Sequence, residues 1–396
     1  MGIFRLLLAV CVLFQHGIPF GHFNYLAGSF AVEAFFVISG FYMALVLTER
    51  YNYERLGKNW VLKFYAARYL RLYPAYLIST AALALLYWSA ATFFHSKPEP
   101  WLEWKALLSL PHTFRNVLLL IWAGVSNLTI FLQDLGGVLA VRDQQAIFTV
   151  HRTASEIYVW ILIVNGVAWS LGVELLFYLV APYFIRRSNL QLLLVVLVAL
   201  ALKVYSILTL SDDLPYRTDD ITYRADDLPY RMFPFVLVDF LLGMLTYRMR
   251  ARLIEFAGRY TLAIAYCLML VLTVALPRSL QNWQFSLLAV ALTALIVPAL
   301  FYRSKNSKLD NKLGELSYPI YLFHMMVISL LHFALTKRAG ISNSYAISIC
   351  DVAATMGLSY LVLALENRFI EPYRQRLGRP SATPEQVASA SLKPAR

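Results

Sequence analysis

Charge is what this sequence lacks most. Only 15% of its 396 residues are Asp, Glu, Lys or Arg, against about a quarter in an ordinary soluble domain. A mainly soluble fold is therefore excluded. Cysteine is scarce as well. Cys11, Cys267 and Cys350 all fall in apolar segments without metal spacing, which excludes a disulfide framework and leaves packing as their role. There is no HxxxH, no CxxC and no carboxylate cluster to hold a metal, so none is expected. There is also no Walker loop and no GxGxxG to cradle a nucleotide. Nothing in the chain points to nucleic acid as a partner.

What is abundant is hydrocarbon. The chain is 59% hydrophobic, and apolar runs of about twenty residues recur along it, as membrane-spanning helices require. The expected fold is an all-α integral membrane bundle of about ten helices, over residues 4–20, 28–48, 72–94, 157–185, 190–210, 232–249, 260–276, 285–302, 314–335 and 346–366. The net charge of +12 is then a matter of topology and anionic lipid heads. With a cytoplasmic N-terminus, 23 of the 35 Lys and Arg fall on the inner side and 11 on the outer. Both termini are therefore expected in the cytoplasm. The first run is not expected to be a cleaved signal, because His16 interrupts it and a second span follows at once.

A membrane domain is expected over 1–372, and a disordered cytoplasmic tail over 373–396. Residues 115–132 are long enough to span, yet spanning would carry Arg186 and Arg187 outside, so an interfacial or re-entrant element is expected there. Residues 212–231 hold three copies of a seven-residue unit, DDLPYRT, DDITYRA and DDLPYR. Seven residues are too few for a solenoid. A solvent loop is expected, with sugar binding by its Asp and Tyr residues as the sharper alternative.

Ionisable groups inside hydrocarbon are costly, and each counts as a functional candidate. Here they are His16, Glu33, Glu174, Asp239, His324 and Lys203. Arg5 and His16 lie eleven residues apart, a rotation of about 1100°, so they share one helix face about 16 Å apart along the axis. Glu33 is expected at the depth of His16, where a carboxylate would orient the imidazole. Arg68 and Arg71 share a face at the cytoplasmic mouth, and guanidinium forks suit phosphate oxygens. Ser39 and Gly40 suit close helix packing. Tyr76, Tyr178, Tyr318 and Tyr321 are expected in the interface belt.

Taken in order, these motifs resemble acyltransferase family 3, integral-membrane enzymes that decorate bacterial polysaccharides, O-antigen, peptidoglycan, nodulation factors and macrolides. The resemblance runs through Arg5-x10-His16, AVEAFFVISGF, RYLRLYP, WSLGVELLFYL, VLVDFLLGM, LGELSYPIYLFH and FIEPYRQ. It departs from the family at Glu174-Leu175-Leu176, where Glu-Glu-Gln is frequent, and at Glu33, where Asp is common. No SGNH-type esterase domain is appended, which leaves any hand-off to another partner or to none.

The resemblance implies a multi-pass protein of the bacterial inner membrane. It would be an O-acetyltransferase moving an acyl group, most often acetyl, from acetyl-CoA or another acyl-CoA to a hydroxyl of a glycan or lipid-linked saccharide. On that reading Arg5, Arg68 and Arg71 hold the donor phosphates. His16, assisted by Glu33, is the general base or a transient acyl carrier. Trp169, Ser170, Glu174, Asp239, Tyr321 and His324 support or bind substrate. The acceptor's side of the membrane stays open. The rival reading is a proton-coupled secondary transporter, which also uses buried Glu, His and Arg.

Overall fold

The computed structural model describes residues 1–17, 28–150, 155–210, 227–257, 260, 263 and 283–379. The helices are α1 (Gly2–His16), α2 (Gly28–Glu49), α3 (Tyr53–Leu56), α4 (Trp60–Phe93), α5 (Glu99–Ser109) and α6 (Phe114–Thr129). An antiparallel hairpin follows, β1 (Leu139–Arg142) and β2 (Gln145–Phe148), with Leu139 opposite Phe148. Then come α7 (Trp169–Phe184), α8 (Asn189–Thr209), α9 (Asp227–Arg231), α10 (Phe233–Arg248) and α11 (Arg250–Ala257). The last four are α12 (Trp283–Ser304), α13 (Lys308–Leu331), α14 (Ser344–Phe369) and α15 (Glu371–Leu377). Among the described residues six helices are long and apolar enough to cross a membrane, and α1 and α7 are shorter apolar helices. Apart from the hairpin, the expected helical membrane fold is what the chain adopts.

The centre of the bundle is α2, which packs on α1, α7, α10 and α12. Its crossing with α10 is made by glycine. A Cβ on Gly40 would lie 1.9 Å from the Phe240 carbonyl oxygen, and one on Gly243 would lie 2.0 Å from that of Val37. Small residues let backbones approach closely where water supplies no hydrophobic drive between helices. α1 is tied to α13 in another way. Asp310, in the first turn of α13, accepts from the Gly2 and Ile3 amides at 2.6 and 3.0 Å. It satisfies donors that the start of any helix leaves open. By contrast, α8 turns Leu190, Leu194, Leu197, Val198 and Leu208 outward, as a helix against lipid does.

Several boundaries differ from expectation. The helix expected over 157–185 begins only at Trp169. Asn165 stops it earlier: its amide is buried, donating to Ser79 Oγ at 2.9 Å and the Leu322 carbonyl at 3.4 Å. The Val164 amide is taken by the Asn127 side chain at 2.8 Å. The span expected from 72 begins at Trp60, so Arg68 and Arg71 lie inside a long helix. The segment 115–132 is α6, capped by Thr113. Leu119 and Ala123 pack with the hairpin and with Leu162 in a small second core. Most of the span expected over 260–276, Cys267, and the first two copies of the repeat lie outside the described residues. Cys11 is buried and Cys350 exposed.

Candidate functional site

The conspicuous cavity has a volume of about 440 Å³ and lies between α1, α2, α4, α7, α13 and α15. Each of these elements sends at least one polar side chain into it. α1 supplies Arg5, whose guanidinium stands 5.9 Å from the centre of the Tyr42 ring. α4 supplies Arg68 and Arg71, one turn apart on the same face, as their spacing requires. α7 supplies Ser170 and Glu174. Glu174 Oε1 accepts from Ser39 Oγ at 2.6 Å and from the Tyr178 hydroxyl at 2.5 Å. Ser39 is thus part of the cavity wall and does more than pack.

Above the arginines the wall is Tyr321, whose hydroxyl meets Ser170 Oγ at 2.8 Å and donates to the Val167 carbonyl at 2.9 Å. The Tyr321 ring lies 6.1 Å from that of His324, and His324 lies 5.2 Å from His16. The two histidines expected at separate points of the chain therefore form one pair behind the inner wall of the cavity. His324 is fully buried. Its Nδ1 faces the Ile320 carbonyl at 3.2 Å. A carbonyl only accepts, so Nδ1 carries the proton. Nε2 of the neutral ring is then an acceptor, with no hydrogen-bond partner among the described residues. The site combines cations at one end with an unprotonated imidazole nitrogen at the other. Such a site can hold an anionic group and take a proton from a hydroxyl some distance away.

A family model described as an acyltransferase domain matches residues 2–364. The chain belongs to acyltransferase family 3. No curated protein and no solved structure gives a significant match. The family match spans α1 to α14 and ends before α15, although α15 lines the cavity too.

Within this family member the candidates separate into two groups. Arg5, Arg68, Arg71, Ser170, Glu174 and Tyr321 line the cavity, with His16 and His324 adjoining it. Trp169 stands beside it, edge-on to Phe36 at 6.3 Å, with the Arg231 guanidinium 5.2 Å from its ring. Glu33 and Asp239 belong elsewhere. Lys203 Nζ donates to Glu33 Oε1 at 2.7 Å and to Asp239 Oδ2 at 2.8 Å, and Ser286 Oγ donates to Glu33 Oε2. Both carboxylate oxygens of Glu33 are thus engaged by α8 and α12. The expected pairing of Glu33 with His16 gives way to a buried cluster of three charges.

The tyrosines also depart from the interface-belt expectation. Tyr76, Tyr178 and Tyr321 are buried. Tyr76 donates to the Asn127 carbonyl at 2.6 Å, and Tyr318 to the Leu72 carbonyl at 2.5 Å. They serve as internal ties between helices. Sequence reasoning passed over Asp310 and the mouth residues Arg50, Glu315 and Arg374. The signal for Arg374 was present in FIEPYRQ, but Arg374 falls inside the tail expected to be disordered over 373–396, whereas the helix Glu371–Leu377 orders the start of that segment.

Proposed function

We propose that this protein is a membrane O-acyltransferase that moves an acyl group, acetyl in the first instance, from acyl-CoA to a hydroxyl of an exported or cell-surface glycan. One observation carries this reading: an arginine-lined cavity joined through Tyr321 to the pair His16 and His324. Arg5, Arg68 and Arg71 hold the donor phosphates. The pantetheine arm runs along α1 toward His16. The acceptor hydroxyl oxygen attacks the thioester carbonyl while the His16 imidazole takes its proton. The tetrahedral intermediate collapses, the C–S bond breaks, and the imidazolium returns the proton to the departing thiolate. General-base help of this kind is worth about 10²–10⁴ in rate. Because Glu33 is held by Lys203, the neighbour that tunes His16 in this reading is His324.

In this proposal about ten helices span the bacterial cytoplasmic membrane with both termini inside. The arginine mouth then faces the compartment where acyl-CoA is made, and the Lys and Arg asymmetry supports that placement. The test compares the wild type with His16→Ala, both shown to be folded, for release of free CoA from acetyl-CoA with a crude cell-envelope glycan as acceptor. Release by the wild type and loss in the variant are expected. Equal release would remove His16 from the chemistry. A transporter built around the Lys203 cluster would instead give vesicle uptake without donor consumption.

A further inference from the structure

Away from the arginine cavity, α14 carries a polar stripe. Asp351, Thr355 and Ser359 recur at every fourth residue, so they share one helix face about 6 Å apart along the axis. All three are fully buried. Val352 and Met356, next to them, pack with Leu13 of α1 and Ile328 of α13, so the stripe is turned inward. Neither oxygen of Asp351, nor the hydroxyl of Thr355 or Ser359, has a hydrogen-bond partner among the described residues.

Two contacts set α14 against α13. Asp351 Oδ2 stands 3.4 Å from His332 Nε2, and at the other end Glu366 lines a cavity with Tyr318. The two helices therefore run antiparallel, which puts Thr355 level with Ile328 and Ser359 level with His324. His332 lies eight residues, or about 12 Å, beyond His324 and away from Glu315 at the mouth. Its side chain is 31% exposed. The Asp351 end also adjoins α1, where a Cβ on Gly17, the residue after His16, would lie 3.4 Å from Asp351 Oδ2. His332 Nε2, Asp351, Thr355, Ser359 and His324 Nε2 thus form a line of buried polar atoms open to a further partner. Leaving one such group unsatisfied costs about 1–3 kcal/mol, and buried water is the usual partner.

We propose that this line is a path for water and protons between the His16–His324 pair and solvent at His332. It opens on the face opposite the arginine mouth and keeps the pair in proton exchange with that side. A His16 protonated outside the catalytic cycle then returns to the neutral form that acts as base. Buried carboxylates and imidazoles in series are what proton relays within membranes are built from. The charged group facing Asp351 is His332, and past the pair Arg231 acts on both His16 and Tyr321. Arg71, Glu366 and Arg374 stand at the mouth end of the helices. The role given to the pair rests on the acyl-transfer reading above, and the path is measured without donor or acceptor.

The experiment follows exchange of each histidine's ring C2 hydrogen for deuterium, by mass spectrometry, on the full-length protein in detergent. This exchange needs water at the ring. His324 should exchange although it is fully buried, with the exposed His95 as reference. Thr355→Val combined with Ser359→Ala removes both hydroxyls with little change in volume. His324 should then slow by about ten-fold, because each lost hydrogen bond makes the path harder to wet. His332 and His95 should keep their rates. No exchange at His324 in the wild type would overturn the proposal. An unchanged His324 rate in the double variant would also overturn it, since water would then arrive from the arginine cavity. If the double variant does not fold, Ser359→Ala alone and the wild-type rate decide. Either failure leaves the acyl-transfer reading standing, because CoA release decides that. Failure of the His16→Ala comparison would leave the measured path in place and remove only its role in catalysis.

Discussion

His324 stands beside His16, and Glu33 is turned away to Lys203. His324 has its Nδ1 fixed on the Ile320 carbonyl and its Nε2 directed away from that bond. Asparagine places an amide N–H near the Nδ1 position and offers nothing at Nε2. His324→Asn should therefore fold like the wild type yet lose about 10²-fold or more in CoA release if Nε2 takes part in proton transfer. Wild-type turnover in that variant would make His324 a packing residue. Glu33 stands in a different environment, bonded to Lys203 in a site closed to water. Removing one partner of a buried ion pair costs roughly 3–5 kcal/mol, because the other charge is left uncompensated. Glu33→Ala should lower the thermal midpoint in detergent before it changes the kinetics of what remains folded. A folded, fully stable but inactive Glu33→Ala would restore Glu33 to the chemistry.

At the scale of elements, the fold depends on how closely α2 and α10 approach. Gly40 and Gly243 sit in reciprocal contact with backbone carbonyls of the opposing helix. A Cβ at Gly40 would have to displace Phe240, which itself stacks on Phe36 and Phe177 at 4.6 and 4.3 Å. Gly40→Ala should cost roughly 1–3 kcal/mol through overpacking, read as a lower unfolding midpoint. An unchanged midpoint would show that the two helices slide apart freely. The last copy of the seven-residue repeat offers a second lesson. It is no plain solvent loop, because α9 buries Leu228, sets Tyr230 4.8 Å from Trp169 and lays Arg231 4.7 Å from Trp160. Replacing only residues 212–225 by a short polar linker should leave turnover intact, whereas Arg231→Ala should impair it. The reverse pattern would place the function of the repeat in its first two copies.

For the whole molecule, the polar mouth and the small second core should lie on opposite sides of the bilayer. The mouth holds Arg50, Arg71 and Arg374. The second core holds α5, α6 and the hairpin. In a background with Cys11, Cys267 and Cys350 replaced by Ser, Lys58→Cys should react with an impermeant thiol reagent only from the cytoplasmic side. Lys97→Cys should react only from the other. Both positions are exposed. Labelling from the same side would overturn the proposed topology.

The sequence by itself determined the class of molecule. Scarce charge and long apolar runs leave a helical membrane protein, because only internally hydrogen-bonded helices satisfy a backbone in hydrocarbon once a closed barrel is set aside. It also determined the candidate side chains, since a charge retained in lipid is costly enough to mark itself. The shared face of Arg5 and His16, and that of Arg68 and Arg71, followed from helical pitch alone. The tertiary structure decided the partners. How one helix is rotated against another depends on contacts such as Gly40 with Phe240 and Asp310 with Gly2, which link residues far apart in the chain. That rotation turned Glu33 toward Lys203, brought His324 to His16, and folded α15 over the mouth of the cavity.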